Sequence, residues 1–247
     1  MRELLALTAR AEAAHFWFRG FRRFVAPVIA GLARGRRDLC LVDCGCGTGH
    51  NLALLGPYGR ACGFDLTEGS GTRARTIGLP VAQGDVTHAP FQSDTVDLAT
   101  CFDVLQCVPD DAAAVSEMRR IVRPGGAVVL TLAALDILRG DHAEVWGEVR
   151  RYTAGSARRL MEQADLDVER VSYLYASVFP LMLAVRTTQR VLRRFRHPRA
   201  DADIGVPPAA INVALTAVVT VEAWLARRLP MPVGSSLLVV ARKPRSG

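Results

Sequence analysis

The sequence predicts an α/β protein: a seven-stranded, mostly parallel sheet with helices on both faces and a helical insertion before the last strand. Three observations carry that reading. From residue 39 onward, short apolar runs bounded by turn residues alternate with helical stretches. The first run leads straight into a glycine-rich turn, "DCGCGTG", at residues 43–49. Finally, a long stretch of apolar and arginine-rich helix separates the last two strand-like runs. Strands that alternate with helices pack into a parallel sheet covered on both sides.

Taken in order, the strands are 39–43 "LCLVD", 60–65 "RACGFD", a short run ending at "AQGD", 96–101 "VDLATC", 127–132 "AVVLTL", a run from about 168 to 175, and 236–242 "SLLVVAR". Helices are expected over 49–55, over 68–77 with Thr67 as cap, and over 111–122 with Asp110 as cap. "RPGG" at 123–126 is a turn, and Thr153 caps a helix to about Ala164. Residues 171–185 are uncharged and run into Arg186, Arg190, Arg193, Arg194, Arg196 and Arg199 with no acid among them. "ADADIGVPP" then breaks the chain before a helix over 209–228, on which Asn212, Thr216 and Thr220 form a thin polar stripe. This divides the chain into an N-terminal helical cap (1–38), a main domain (39–175 and 235–247) and an insertion (176–234).

Half of the 247 residues are apolar, enough for a buried core. The net charge of +7 is nearly all arginine, Lys243 being the one lysine. That excess fits phosphate-bearing partners or a simple compositional preference for arginine. The N-terminal stretch is amphipathic and lacks the apolar run of a secretory leader. Six cysteines in a chain of this length read as reduced core residues rather than a disulfide framework. A cytoplasmic location follows as the expectation.

The glycine-rich turn admits three readings. Cys44 and Cys46 lack a second cysteine pair at metal-ligand spacing, so no metal is expected. A phosphate-binding P-loop needs a Gly-Lys pair, which is absent. Gly45, Gly47 and Gly49 do supply what a ligand-holding strand-to-helix turn needs, namely main chain that a ligand can approach closely. Asp65 ends the second strand, where a carboxylate can take the two hydroxyls of a ribose. Asp85, after the third, can take an adenine amino group, with Leu66 and Val86 as apolar walls.

These motifs, continued by "CFDVLQCVPDD" and "EMRRIVRPGGAVVLTL", resemble a class I S-adenosylmethionine-dependent methyltransferase of the type 11, ubiquinone/menaquinone-methylase-like group. The resemblance implies a Rossmann-like fold and S-adenosylmethionine as cofactor, with S-adenosylhomocysteine as product. It implies Asp43 and Gly45 near the amino-acid end of that cofactor, Gly47 and Gly49 giving clearance, and Asp65 on the ribose. Asp85 and Val86 would face the adenine, and Phe102 and Asp103 the methionine portion. "HFWFRGFRR" (15–23) resembles an N-terminal "HWWFxxRR" helix, in which Trp17 would cap the cofactor and Arg19 meet its carboxylate. "DHAEVWGEVRRYT" (141–153) resembles a segment in which a histidine is common where Glu148 stands here, which puts the base in doubt.

Candidate bases are His142, Glu148 and Tyr152, with Glu144 as a further acid. Trp146 and Arg151 are candidates for holding the acceptor. The expected activity is methyl transfer to O, N or C of a small molecule: a secondary metabolite, a quinone-like compound or an envelope lipid or glycan intermediate. Two alternatives stand beside it. The positive charge allows an RNA-directed enzyme, against which the fourth strand lacks the "[DN]PP[YFW]" loop of base-amino methylases. The other is a non-methylating protein on the same fold. The insertion is expected to be a lid or a homodimer contact in preference to a peripheral membrane contact.

Overall fold

Asp43 on β1 (Leu39–Cys44) stands in parallel register with Gly63 on β2 (Gly59–Asp65) and, on its other side, with Thr100 on β4 (Val96–Phe102). The first apolar run is therefore the middle of a sheet. In this computed structural model, which describes residues 2–192 and 205–245, three further strands extend it beyond β4: β5 (Val122–Ala133), β7 (Ser236–Arg242) and β6 (Asp167–Leu174). With β3 (Val81–Gln83) at the opposite edge, the order of the seven strands is β3-β2-β1-β4-β5-β7-β6, and only β7 runs antiparallel to its neighbours. The strand order reverses between β1 and β4, which opens a crevice at the carboxyl ends of those strands.

Alternation along each strand builds two cores. Val42, Cys44, Cys101, Val128, Leu130 and Val239 pack with α4 (Asp111–Ile121) and α6 (Ala154–Gln163) on one face. Leu41, Leu98, Val129 and Val240 point the other way, into a second core shared with α2 (Phe16–Ala33) and α8 (Ala209–Leu225). Both sheet faces are thus dry, as the continuous apolar runs require. All six cysteines are free, and Cys44, Cys46 and Cys101 are buried as small core side chains. Among the described residues, no helix is long and apolar enough to cross a membrane.

The helix caps follow local chemistry. Asp110 accepts from the Ala113 N–H at 2.9 Å, and Thr153 and Ser156 form a reciprocal capping box at the start of α6. Other expected elements differ. Residues 49–55 do not form an α-helix; His50–Leu54 is a 3₁₀ turn, and the following Gly56-Pro57 pair stops it from growing. The helix expected over 68–77 shrinks to α3 (Thr72–Thr76), and the residue before it is Gly71, not Thr67. Gly71 sits at φ 72°, and a Cβ there would come within 2.6 Å of Val81. "RPGG" does not separate α4 from β5 either; β5 begins at Val122, and the pairing shifts register between Val96 and Leu98.

Among the described residues, α1 (Arg2–Ala11) and α2 precede β1, and α7 (Phe179–Leu192) and α8 lie between β6 and β7. Asn212 on α8 ties these segments together: its Oδ1 accepts from the Phe16 N–H at 2.8 Å, and its Nδ2 donates to Ala14 O at 2.9 Å. The polar stripe on α8 thus faces protein. Arg193, Arg194, Arg196 and Arg199 and most of the "ADADIGVPP" break lie outside the described residues.

Candidate functional site

β1 ends at Cys44, and the chain turns at once. The N–H groups of Gly45 and Cys46 both donate to Phe64 O, at 2.8 and 3.0 Å, which clasps the turn to the end of β2. Gly45, Gly47 and Gly49 lie at φ 77°, 54° and 80°, in the left-handed region that a Cβ disfavours. A Cβ on Gly45 would also meet Val104 at 2.6 Å, and one on Gly49 would meet Ala74 at 2.5 Å. From the other side, Gly71 N–H and Arg73 N–H donate to the carbonyls of Gly47 and Thr48, each at 2.8 Å. The result is a rigid strip of main chain, partly exposed at Gly45 and Gly47.

Asp65 faces this strip. Its Oδ2 accepts from the Gly47 N–H at 2.9 Å and its Oδ1 from the Thr67 N–H at 2.8 Å. Each oxygen retains a lone pair for a ligand hydroxyl. Next to it, Leu66 leaves 68 % of its surface exposed. Asp85 accepts from the Thr87 N–H at 2.8 Å, which holds its carboxyl below the usual range.

Other expected ligand contacts are placed differently. Asp43 is buried and accepts from the Thr100 hydroxyl at 2.7 Å, so it supports the turn from within the sheet rather than facing a ligand. Burial pushes its carboxyl up to about 7, the Asp65 charge adds to this, and the Thr100 hydroxyl opposes it. Val86 is buried in the α4/α6 core, which leaves Leu66 as the accessible wall of the expected pair. The Phe102 ring packs edge-on to Phe21 at 5.1 Å, in the α2 core. Asp103 turns outward at φ 55°, with its N–H donating to Thr131 O at 3.0 Å. It opens to solvent yet is walled by protein. Lost hydration and then the Glu148 charge raise its carboxyl to about 6, against the pull of Thr131 and Arg151.

Trp17 stacks on Tyr175 at 3.9 Å, and the Tyr175 hydroxyl donates to Trp17 O at 2.7 Å. Arg19 is exposed and lines a groove of about 520 Å³ between α2 and α8, which includes no residue of the glycine turn. Glu12 makes a contact that the sequence did not signal. Its two oxygens accept from the Thr48 hydroxyl at 2.9 and 2.8 Å, inside the glycine turn, and Arg22 donates to Glu12 O at 2.8 Å. Burial raises the Glu12 carboxyl, while His50 beside it is lowered to about 4 and stays neutral near pH 7.

Past β5 the expected catalytic residues are largely committed. Glu148 and Arg151 form a buried two-point ion pair, at 2.9 and 3.2 Å, with 3 % and 8 % of their side chains exposed. This corrects the expectation that Glu148 serves as a base and that Arg151 is a free fork for the acceptor. Tyr152 is buried, and its hydroxyl donates to Asp111 Oδ2 at 2.7 Å; burial and that acid push its ionisation upward, which removes it as a base. His142, on α5 (Asp141–Val145), lies half-buried with its ring 5.7 Å from that of Trp146. Among the described residues, no group of three or more His, Cys, Asp or Glu is arranged to hold a metal ion.

Comparison with known proteins agrees with this geometry. Residues 42–130 match the family model described as "Methyltransferase domain". A demethylmenaquinone methyltransferase from Staphylococcus aureus is 34% identical over 108 residues, covering 40% of this chain and 44% of that protein. The chain spans less than half the length of the curated relatives it matches. Among solved structures, the complex of the Trm112 methyltransferase activator and a methyltransferase from Haloferax volcanii aligns at TM-score 0.61 and 21% identity, covering 98% of this chain and 96% of that one. The [4+2]-cyclase SpnF aligns at TM-score 0.60 and 17% identity, covering 91% and 81%. Through residues 42–130 the chain is similar to the methyltransferase-domain family.

Proposed function

We propose that this chain transfers the methyl group of S-adenosylmethionine to O, N or C of a small-molecule acceptor. The observation that carries the reading is the Gly47–Asp65 pair: rigid main chain and a carboxylate facing one another across the ends of β1 and β2. The residues fit the cofactor, since a Cβ on Gly45 or Gly49 would collide with its neighbours and stiff, open main chain is what a nucleoside ligand needs. Asp65 would hold the ribose hydroxyls, Asp85 the adenine amino group and Leu66 one face of the ring. When bound, S-adenosylmethionine supplies a methyl group already made electrophilic by its sulfonium. The chain's part is then to align the acceptor and exclude water, with Trp17, held by its stacking on buried Tyr175, and Asp103 as walls of the acceptor side. The S. aureus relative supports a quinone-like acceptor among the small-molecule classes.

Calorimetry with S-adenosylmethionine and S-adenosylhomocysteine tests the reading. Measurable heat and a raised melting temperature are expected, and a folded protein that shows neither would overturn it. One observation favours a second reading, a non-methylating catalyst on the same fold. Glu148 and Tyr152 are both tied into internal contacts, and the fold matches a cyclase. Cofactor binding without release of S-adenosylhomocysteine in the presence of a turned-over substrate would select it.

A further inference from the structure

The helix that precedes β7 is inside out. On α8 the polar residues Asn212, Thr216 and Glu222 are buried, while Ile211, Val213, Val218, Val221, Trp224 and Leu225 are exposed. On α7 the buried residues are Arg186 and Gln189, bonded to each other at 2.8 Å, but its exposed side is mixed, with Thr187, Thr188 and Arg190 beside Leu181, Val185, Val191 and Leu192. At 100° per residue, these six exposed residues of α8 fall within one arc of about 160°, and no exposed position of the helix is polar. A surface helix ordinarily does the reverse.

This orientation is anchored. Asn212 bonds Phe16 N and Ala14 O, and the Glu222 carboxylate accepts from the N–H groups of Ala176 and Ser177 at 2.8 and 2.9 Å. Rolling the helix to hide its apolar arc would strand all four main-chain groups, each at a cost of ~1–3 kcal/mol. The fold therefore presents a wide apolar face to its surroundings, and faces of this kind mark contact surfaces.

The rim of the face identifies what covers it. Arg19, Arg22, Arg23 and Arg227 line the groove beside Trp224, and the Arg228 guanidinium lies over the Trp224 ring at 5.6 Å. The single acid on α2, α7 and α8 is Glu222, which is buried and used as a cap. A second copy of the chain would bring the same arginines to the contact with no exposed acid on these helices to answer them. A bilayer with anionic headgroups satisfies both parts, taking the apolar arc into its acyl boundary and the guanidinium groups onto phosphates. A tryptophan flanked by arginines suits that boundary. Neither helix is long enough to cross, so the arc would lie in the plane of the surface.

We propose that the exposed arc of α8 is a docking face for an anionic lipid bilayer, with Arg19, Arg23, Arg227 and Arg228 at its headgroup rim. The proposal does not depend on methyl transfer. Co-sedimentation of the full chain with vesicles tests it, comparing phosphatidylcholine alone with phosphatidylcholine containing about one-third phosphatidylglycerol. Partitioning onto the anionic vesicles, weakened by salt, is expected. Val218→Glu with Val221→Glu should abolish it, and Arg227→Gln with Arg228→Gln should weaken it roughly tenfold; all four positions are exposed, so melting temperature serves as the control for folding. Folded protein that ignores anionic vesicles would overturn the proposal. So would a stable dimer that Val221→Glu converts to monomer while no vesicle binding is seen, because a second copy would then cover the face.

Discussion

The Gly47 N–H donates to Asp65 Oδ2 at 2.9 Å, a bond between the turn after β1 and the acid that ends β2. The same carboxylate holds the Thr67 N–H, so it is oriented before any ligand arrives. Asp65→Ala should weaken S-adenosylhomocysteine binding by ~1–3 kcal/mol, the scale of charge-assisted hydrogen bonds, while the protein stays folded. Titration calorimetry reads the loss directly. An affinity equal to that of the parent would remove Asp65 from the ribose.

Gly45 is held at φ 77° with Val104 crowding the space where a Cβ would lie. Gly45→Ala should cost ~2–4 kcal/mol, part from the left-handed backbone and part from overlap. Adding Val104→Ala should restore only the overlap part. Urea unfolding of the single and double variants separates the two, and full recovery in the double variant would show that the backbone is unstrained.

The Glu148–Arg151 pair is shielded from water, so removing one partner leaves an uncompensated buried charge. Glu148→Gln should destabilise by ~3–5 kcal/mol, and Glu148→Leu with Arg151→Met by much less. If Glu148 instead served as a base facing substrate, Glu148→Gln would abolish turnover and leave the melting temperature in place. Thermal unfolding together with an activity assay distinguishes the two.

Burial raises the Asp43 carboxyl to about 7 from its ordinary range near 4. The folded state therefore holds a proton that the unfolded chain has released, and stability falls as pH rises between those values, by ~1.4 kcal/mol per unit. The contribution is complete below the unfolded value and lost above the folded one. Asp43→Asn keeps an acceptor for Thr100 and carries no charge to bury. Its melting temperature should gain on the parent as pH climbs from 5 toward 8, with little difference at the acid end. A constant difference across that range would show that Asp43 does not titrate near 7.

The cap residues Asp110 and Thr153 and the strands at 236–242 and 39–43 were legible because their signals are local: a hydroxyl or carboxylate at a helix start, an apolar run between turns. The helix expected over 68–77 was not, because the need for glycine at position 71 comes from Val81 packing against it across the sheet edge. The partners of the candidate site were hidden for a similar reason. Thr100 meets Asp43 only because β4 lies beside β1, and Glu12 reaches Thr48 across 36 positions of chain. Tyr152 and Glu148 looked like free catalytic groups until packing supplied Asp111 and Arg151.

The sequence by itself determined the alternation of strand and helix, the glycine-rich turn after β1 and the acids at the strand ends, since each depends on neighbours a few residues away. Only the tertiary structure decided which of those acids are buried, which bases are already paired, and that α8 turns its polar stripe inward. Those properties belong to distances between parts of the chain far apart in order, and hydration, ion pairing and burial respond to distance rather than to sequence position.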